Sequence, residues 1–220
     1  MFSDQFQLAC FDRENVNWPP PAFVDPAPRK SEMVTPLIWC LLLLLSFCAQ
    51  GEWPAVTSEG LVDSQAIFQH GEWWRPITGL FLHADLGHLL SNALSGIFVF
   101  SAVLGTIGRA RGWIALGAAA ILGNVVAAAL VFPGAYRSLG ASTAIFGGIG
   151  ILTGRAIRQM LRANHPHRWR SLFVPAATGL IVLGLYGAGD QHVDVIAHAT
   201  GFCAGVVAGL IAGVRRMAPV

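Results

Sequence analysis

Charge is what this chain has least of. Asp, Glu, Lys and Arg make up only 12% of its 220 residues, where soluble domains carry about 25%. Apolar side chains supply 54%, and mean hydropathy is +0.57. That balance excludes an ordinary water-soluble globule and predicts a polytopic membrane protein built as one bundle. Cysteine is also sparse. The four present (Cys10, Cys40, Cys48 and Cys203) show no metal-ligand spacing. Three lie in or beside apolar runs, which argues for small packing residues and against a disulfide framework. The first apolar run starts only near residue 34, so no cleavable signal peptide is expected.

Six apolar stretches follow in order. Residues 1–33 are polar and rich in proline (Pro19, Pro20, Pro21, Pro26, Pro28), which reads as a loosely ordered tail. The membrane domain is expected over 34–216, with spans at about 34–49, 86–104, 113–132, 142–157, 171–186 and 195–214. Pro36 is placed in the first turn of the first span, where its missing N–H does no harm. The loop at 50–84 is long enough to be functional or disordered. Its Trp53, Ile67, Phe68, Trp73 and Trp74 predict a folded loop set in the membrane interface.

The net charge of +2 carries little information, but its distribution carries more. Six spans put both termini on one side. On that side fall Arg13, Arg29, Lys30, Arg109, Arg111, Arg155, Arg158, Arg162, Arg168, Arg170, Arg215 and Arg216; only Arg75 and Arg137 fall on the other. Basic residues accumulate on the cytoplasmic side of membrane proteins, so both termini are expected there and the Trp-rich loop outside.

The stretch around which the rest is organised is Ser138-Leu-Gly-Ala-Ser-Thr-Ala-Ile-Phe-Gly147, after the break at Pro133 to Arg137. A serine at a helix entry lies among first-turn N–H groups without intrahelical partners, at the end of the helix that favours negative charge. Gly140 permits a sharp turn there. Taken alone, Ser142 reads first as a helix cap. Its context argues for more. A helix over 142–157 spans roughly 24 Å, short of a hydrocarbon core about 30 Å thick, and Arg155 and Arg158 anchor its far end. Its start is therefore expected to be recessed, in a wet cavity.

The last span carries Val193-Asp-Val-Ile-Ala-His198-Ala-Thr-Gly201, with Gly201, Gly205, Gly209 and Gly213 four apart. Such a stripe allows close helix approach. A histidine inside a span is a functional candidate, although an interhelical hydrogen bond would also account for it. Ser142, Phe146, Gly150 and Gly154 repeat the same spacing on the fourth span. Facing stripes would bring His198 to Ser142, with Phe146 one turn below to support the imidazole. Histidine can then take the hydroxyl proton, serine can attack a carbonyl, and histidinium can protonate the leaving amine. His88 and Asn92 share a face at the start of the second span. With the Ser142 backbone N–H they could form an oxyanion hole, or they could be interhelical hydrogen-bond donors only. Asp194 lies one turn before His198 and reads as a helix cap, not as a third catalytic residue.

Together, Gly140-x-Ser142, His88-x-x-x-Asn92 and Ala197-His198-x-x-Gly201 resemble the rhomboid intramembrane serine proteases, and Glu72-Trp73-Trp74-Arg75 before Phe81-Leu82-His83 resembles their outer loop. The resemblance covers about 34–214. It implies an all-α bundle of six transmembrane helices, with a short embedded catalytic helix. It implies Ser142 as nucleophile and His198 as base, with His88, Asn92 and the Ser142 N–H at the oxyanion. Gly140, Phe146 and Gly201 would support them, and His83 would be structural. It implies no metal, no cofactor and no nucleic acid. The expected partners are the lipid bilayer and transmembrane protein substrates cut at small residues, in a bacterial inner (plasma) membrane. Thr143 and Thr200 depart from the family, which usually has glycine at both positions, and add bulk where the fourth and sixth spans meet. Two classes remain: a protease, or a catalytically weak or inactive relative that binds transmembrane clients. A six-span transporter fits less well, because its ionisable groups need not converge at one outer end.

Overall fold

A computed structural model describes residues 30–162 and 194–212. The expected span at 171–186, the loop at 187–192, Gly213 and nearly all of the tail lie outside those residues. Among the described residues the regular elements are helices, apart from two strands of two residues each. Its order is α1 (Lys30–Glu52), α2 (Pro54–Gly60), β1 (Val62–Asp63), α3 (Ser64–His70), α4 (Arg75–Thr78), a single 3-10 turn (Gly79–Phe81), α5 (Leu86–Ile107), α6 (Arg109–Val131), β2 (Arg137–Ser138), α7 (Ser142–Arg162) and α8 (Val195–Ile211). Among the described residues, Met33–Glu52, Leu86–Ile107 and Arg109–Val131 are long and apolar enough to cross a membrane, and Val195–Ile211 is a shorter apolar helix.

The helix ends differ from the sequence estimates because hydropathy marks the apolar stretch and not the helix. The first helix begins at Lys30, so Pro36 lies inside it and not in its first turn. The expected basic turn at Arg109 and Arg111 is helical; α6 starts directly after Gly108, whose φ of +89° makes the corner. The serine helix runs for 21 residues, to Arg162. Cations suit a helix C-terminus, so Arg155, Arg158 and Arg162 are carried within the helix. At 1.5 Å per residue that is roughly 32 Å, and length alone no longer requires a recessed start.

Caps fix the other boundaries. The Asp85 carboxylate accepts the His88 N–H at 2.8 Å and opens α5. Asp63 accepts the N–H groups of Gln65 and Ala66 and opens α3, which closes on Gly71 in the left-handed region.

The α1–α5 connection carries three short helices and a 3-10 turn. Arg75 is buried: its Nη1 donates to the Ser58 and Leu61 carbonyls, each at 3.0 Å, and its Nε pairs with Glu72 at 2.6 Å. Gln50 ties the two ends of the connection, accepting the His83 N–H at 2.9 Å and donating to the His83 carbonyl at 3.1 Å. Trp53, Trp73 and Trp74 project outward, but Ile67 is fully buried and turns inward. It clusters with Val62, Ala127, Ala128, Tyr136 and Ala197, joining the loop to α6 and α8. Burying one such side chain is worth about 1.5–3 kcal/mol. Strand β1 pairs antiparallel with β2, Val62 opposite Ser138 and Asp63 opposite Arg137. This pairing holds the segment that leads into α7.

Candidate active site

Ser142 is the first residue of α7, not its cap. The Ala141 carbonyl accepts the first helical bonds, from Ala144 at 3.0 Å and Ile145 at 3.2 Å, and alanine has no side chain to cap with. The Ser142 hydroxyl is therefore not spent on the cap position, contrary to the cap alternative. Gly140 sets the approach. Its φ is +127°, its N–H donates to the Gly79 carbonyl at 2.9 Å, and a Cβ there would lie 2.7 Å from His88 Cε1. Both the backbone conformation and the imidazole exclude a larger residue.

His198 lies in the first turn of α8 and is 6% exposed. The Phe146 ring stacks on it, with centroids 4.3 Å apart and planes at 23°. Helices α7 and α8 approach almost to backbone contact. A Cβ at Gly205 would lie 2.0 Å from the Gly147 carbonyl oxygen, one at Gly209 2.1 Å from that of Ile151, and one at Gly150 2.2 Å from that of Phe202. The interleaved glycines hold the two helices at this spacing.

Thr143 does not push α8 away. It is buried, and its methyl group packs into the space left by Gly201 and by Gly123 of α6; a Cβ at Gly123 would meet that methyl at 2.8 Å. Thr200 turns its hydroxyl to the Gly123 carbonyl at 2.8 Å. The two added side chains are thus accommodated by a third helix, which the sequence reading did not identify.

Asn92 and His88 face the same space from α5. Asn92 is buried, and its Nδ2 has no hydrogen-bond partner among the described residues. The same holds for His198 Nδ1. Buried polar atoms are normally satisfied, which singles these two out among the described residues. His88 sets its ring edge-on to His83 at 5.2 Å. His83 lies outside the span, and burial followed by the nearby His88 pushes its imidazole down to about 4.

These groups share one cavity of about 920 Å³. Its walls include His88, Asn92, Ser142, Phe146, Asp194 and His198, together with the apolar Phe98, Val99, Ile145 and Ile149. The structure therefore brings all four sequence-proposed polar residues to the wall of one cavity. Asp194 caps α8 through the Ala197 N–H at 2.9 Å, and its other oxygen accepts the Tyr136 hydroxyl. Burial, and then the Asp194 charge, push the Tyr136 phenol upward. In the sequence Tyr136 falls within the Pro133 to Arg137 break and carries no periodic signal to single it out. Among the described residues no group of three His, Cys, Asp or Glu side chains is placed to hold a metal ion.

Comparison with known proteins bears on this geometry. The rhomboid domain matches residues 70–215. Two relatives come from Bacillus subtilis (strain 168). YdcA, named there as a candidate rhomboid protease, is 31% identical over 139 residues, covering 62% of this chain and 65% of its own. Rhomboid protease GluP is 30% identical over 186 residues, covering 83% of this chain and 35% of its own. Rhomboid-like protease 2 of Toxoplasma gondii is 29% identical over 148 residues, covering 66% of this chain and 49% of its own. The matches span less than two thirds of the length of each of these relatives. With a matched domain over more than half its length and apolar helices of membrane-crossing length, the chain is an integral membrane protein and belongs to the rhomboid family.

Proposed function

We propose that this protein is an intramembrane serine endopeptidase that hydrolyses peptide bonds in or near transmembrane segments of membrane-protein substrates. The observation that carries this reading is the cavity itself: Ser142, His198, His88 and Asn92 all line it, with His198 stacked on Phe146. The roles follow from chemistry. His198 accepts the Ser142 hydroxyl proton as the oxygen attacks the substrate carbonyl. The negative charge that forms on the substrate's carbonyl oxygen is met by the Asn92 amide, the His88 ring and the Ser142 backbone N–H. Histidinium then protonates the departing amine, and a water activated by His198 hydrolyses the acyl-enzyme. Nothing in this sequence of steps calls on a metal or cofactor.

The apolar walls formed by Phe98, Val99, Ile145 and Ile149 suit an unwound stretch of apolar peptide. The charge distribution supports cytoplasmic termini and an outward-facing loop at 50–84. The six-span bundle, with a domain over 34–216, belongs to the same proposal.

The test is cleavage of a model transmembrane substrate in proteoliposomes. Wild type is expected to cut, and Ser142→Ala and His198→Ala are expected to abolish cutting, without multiplied losses in the double variant, because paired residues act as one unit. Retained binding of the substrate without any cleavage by wild type would replace this reading with a rhomboid-like protein that holds transmembrane clients.

A further inference from the structure

Tyr136 has no part in the chemistry above, yet it is tied down from three sides. Fully buried Ser64 donates its N–H to the Tyr136 carbonyl at 3.0 Å. The Ser64 hydroxyl accepts the Tyr136 N–H at 3.0 Å and donates to the Gly134 carbonyl at 2.9 Å. The ring is buried in the same cluster as Ala197, the residue before His198. Its hydroxyl donates to Asp194 Oδ2. Asp194 in turn holds the first turn of α8 with its other carboxylate oxygen, through the Ala197 N–H, and with its carbonyl, through the His198 N–H at 3.1 Å.

One residue therefore touches both sides of the site. Two positions after Tyr136 comes Ser138, locked opposite Val62 in the β1–β2 pair, and the chain then enters α7 at Ser142. On the other side, the phenol reaches the carboxylate that caps the helix bearing His198. The Phe146 stack and the Gly201–Thr143 contact join the start of α8 to α7 by packing; the Tyr136 phenol adds a directional hydrogen bond from the segment that delivers the serine.

Resting on the dyad reading, we propose that Tyr136 is a positioning residue: its hydrogen bond to Asp194 locks the first turn of α8 to the segment entering α7 and so fixes the His198 ring relative to Ser142. Hydrogen bonds to charged groups are among the stronger ones, and losing one changes an equilibrium by roughly tenfold or more. The side chain acts through Asp194 and need not touch the substrate.

The full-length protein is compared with Tyr136→Phe, Asp194→Asn and the double variant. Active sites are titrated with a fluorophosphonate, so that rates refer to folded, reactive protein. Two quantities are read: kcat and KM on a transmembrane substrate, and backbone hydrogen exchange over 195–201. Tyr136→Phe, which removes only the hydroxyl, is expected to lower kcat about tenfold with KM unchanged and to speed exchange over 195–201. Asp194→Asn keeps a cap and a weaker acceptor, so its loss is expected to be smaller. The double variant is expected to fall no further than Tyr136→Phe. A wild-type kcat in Tyr136→Phe, a loss that disappears once active sites are counted, unchanged exchange, or multiplied losses in the double variant would each overturn the proposal. If the wild-type protein neither cuts nor labels, the protease reading has failed and exchange alone decides the tie: faster exchange in Tyr136→Phe supports it, and unchanged exchange refutes it.

Discussion

Gly205→Ala adds a single methyl group at the tightest point of the α7–α8 contact. The new Cβ would start 2.0 Å from the Gly147 carbonyl oxygen and 2.8 Å from its carbon, where ordinary contact begins near 3.4 Å. Both neighbours are backbone, so neither can rotate away. The helices must separate by about 1.4 Å at that level, the difference between 3.4 and 2.0 Å. Overpacking of this kind costs about 1–3 kcal/mol. Position 205 lies two turns below His198 on the same helix, so the separation also shifts the ring that stacks on Phe146 at 4.3 Å. A 1 Å misplacement of reacting groups can cost about 10²-fold in rate. The assay pairs thermal unfolding in detergent with the rate of fluorophosphonate modification. Gly205→Ala is expected to melt earlier and to react roughly a hundredfold more slowly. Gly117→Ala is the control, because nothing among the described residues lies within 4 Å of its added Cβ; alanine there is expected to leave both quantities at or above wild type. Wild-type stability and reactivity in Gly205→Ala would refute the claim that glycine-mediated backbone contact sets the site.

Removing one oxyanion donor typically costs 10²–10³ in rate, so Asn92→Ala and His88→Ala are each expected to lower turnover by that order in a cleavage assay while substrate binding is retained; wild-type rates in both would reassign them to helix packing. His83 gives a pH dependence of known sign. The unfolded chain takes up a proton near pH 6.5 but the folded chain only near 4, so stability falls as pH drops through that window, by roughly 3 kcal/mol in total. Unfolding midpoints of His83→Gln between those values are expected to show a flatter slope than wild type, and an equal slope would remove His83 as the cause. For orientation, single cysteines at positions 3 and 60 in a cysteine-free background are treated with an impermeant thiol reagent on intact cells; labelling at 60 and not at 3 is expected, and the reverse would invert the proposed topology.

What the sequence made legible was periodic. Glycines four apart on two apolar stretches carry the close approach of α7 and α8, and the i, i+4 relation of Ser142 to Phe146 placed the aromatic ring beneath the histidine. Helix ends were less legible, because polar and basic residues at 30–33, 109–112 and 158–162 carry no hydropathy signal yet continue the backbone hydrogen bonding. Contacts between distant, non-periodic positions were not legible at all. Tyr136 and Asp194 are 58 residues apart, and Thr200 and Gly123 are 77 apart. No pattern along the chain pairs such residues; they meet only once α6, α7 and α8 have packed. For the same reason the bulk of Thr143 looked like an obstacle, although Gly123 on a third helix leaves the space it fills.

The central claim is that Ser142 is a hydroxyl activated by His198. Its most direct measurement is the site of covalent modification by a fluorophosphonate, read by mass spectrometry of the detergent-solubilised protein. The account predicts a single adduct, on Ser142, that is lost in His198→Ala although the serine is still present, because an unassisted hydroxyl is a weak nucleophile. An adduct on any other serine, or one on Ser142 that forms equally fast in His198→Ala, would contradict it.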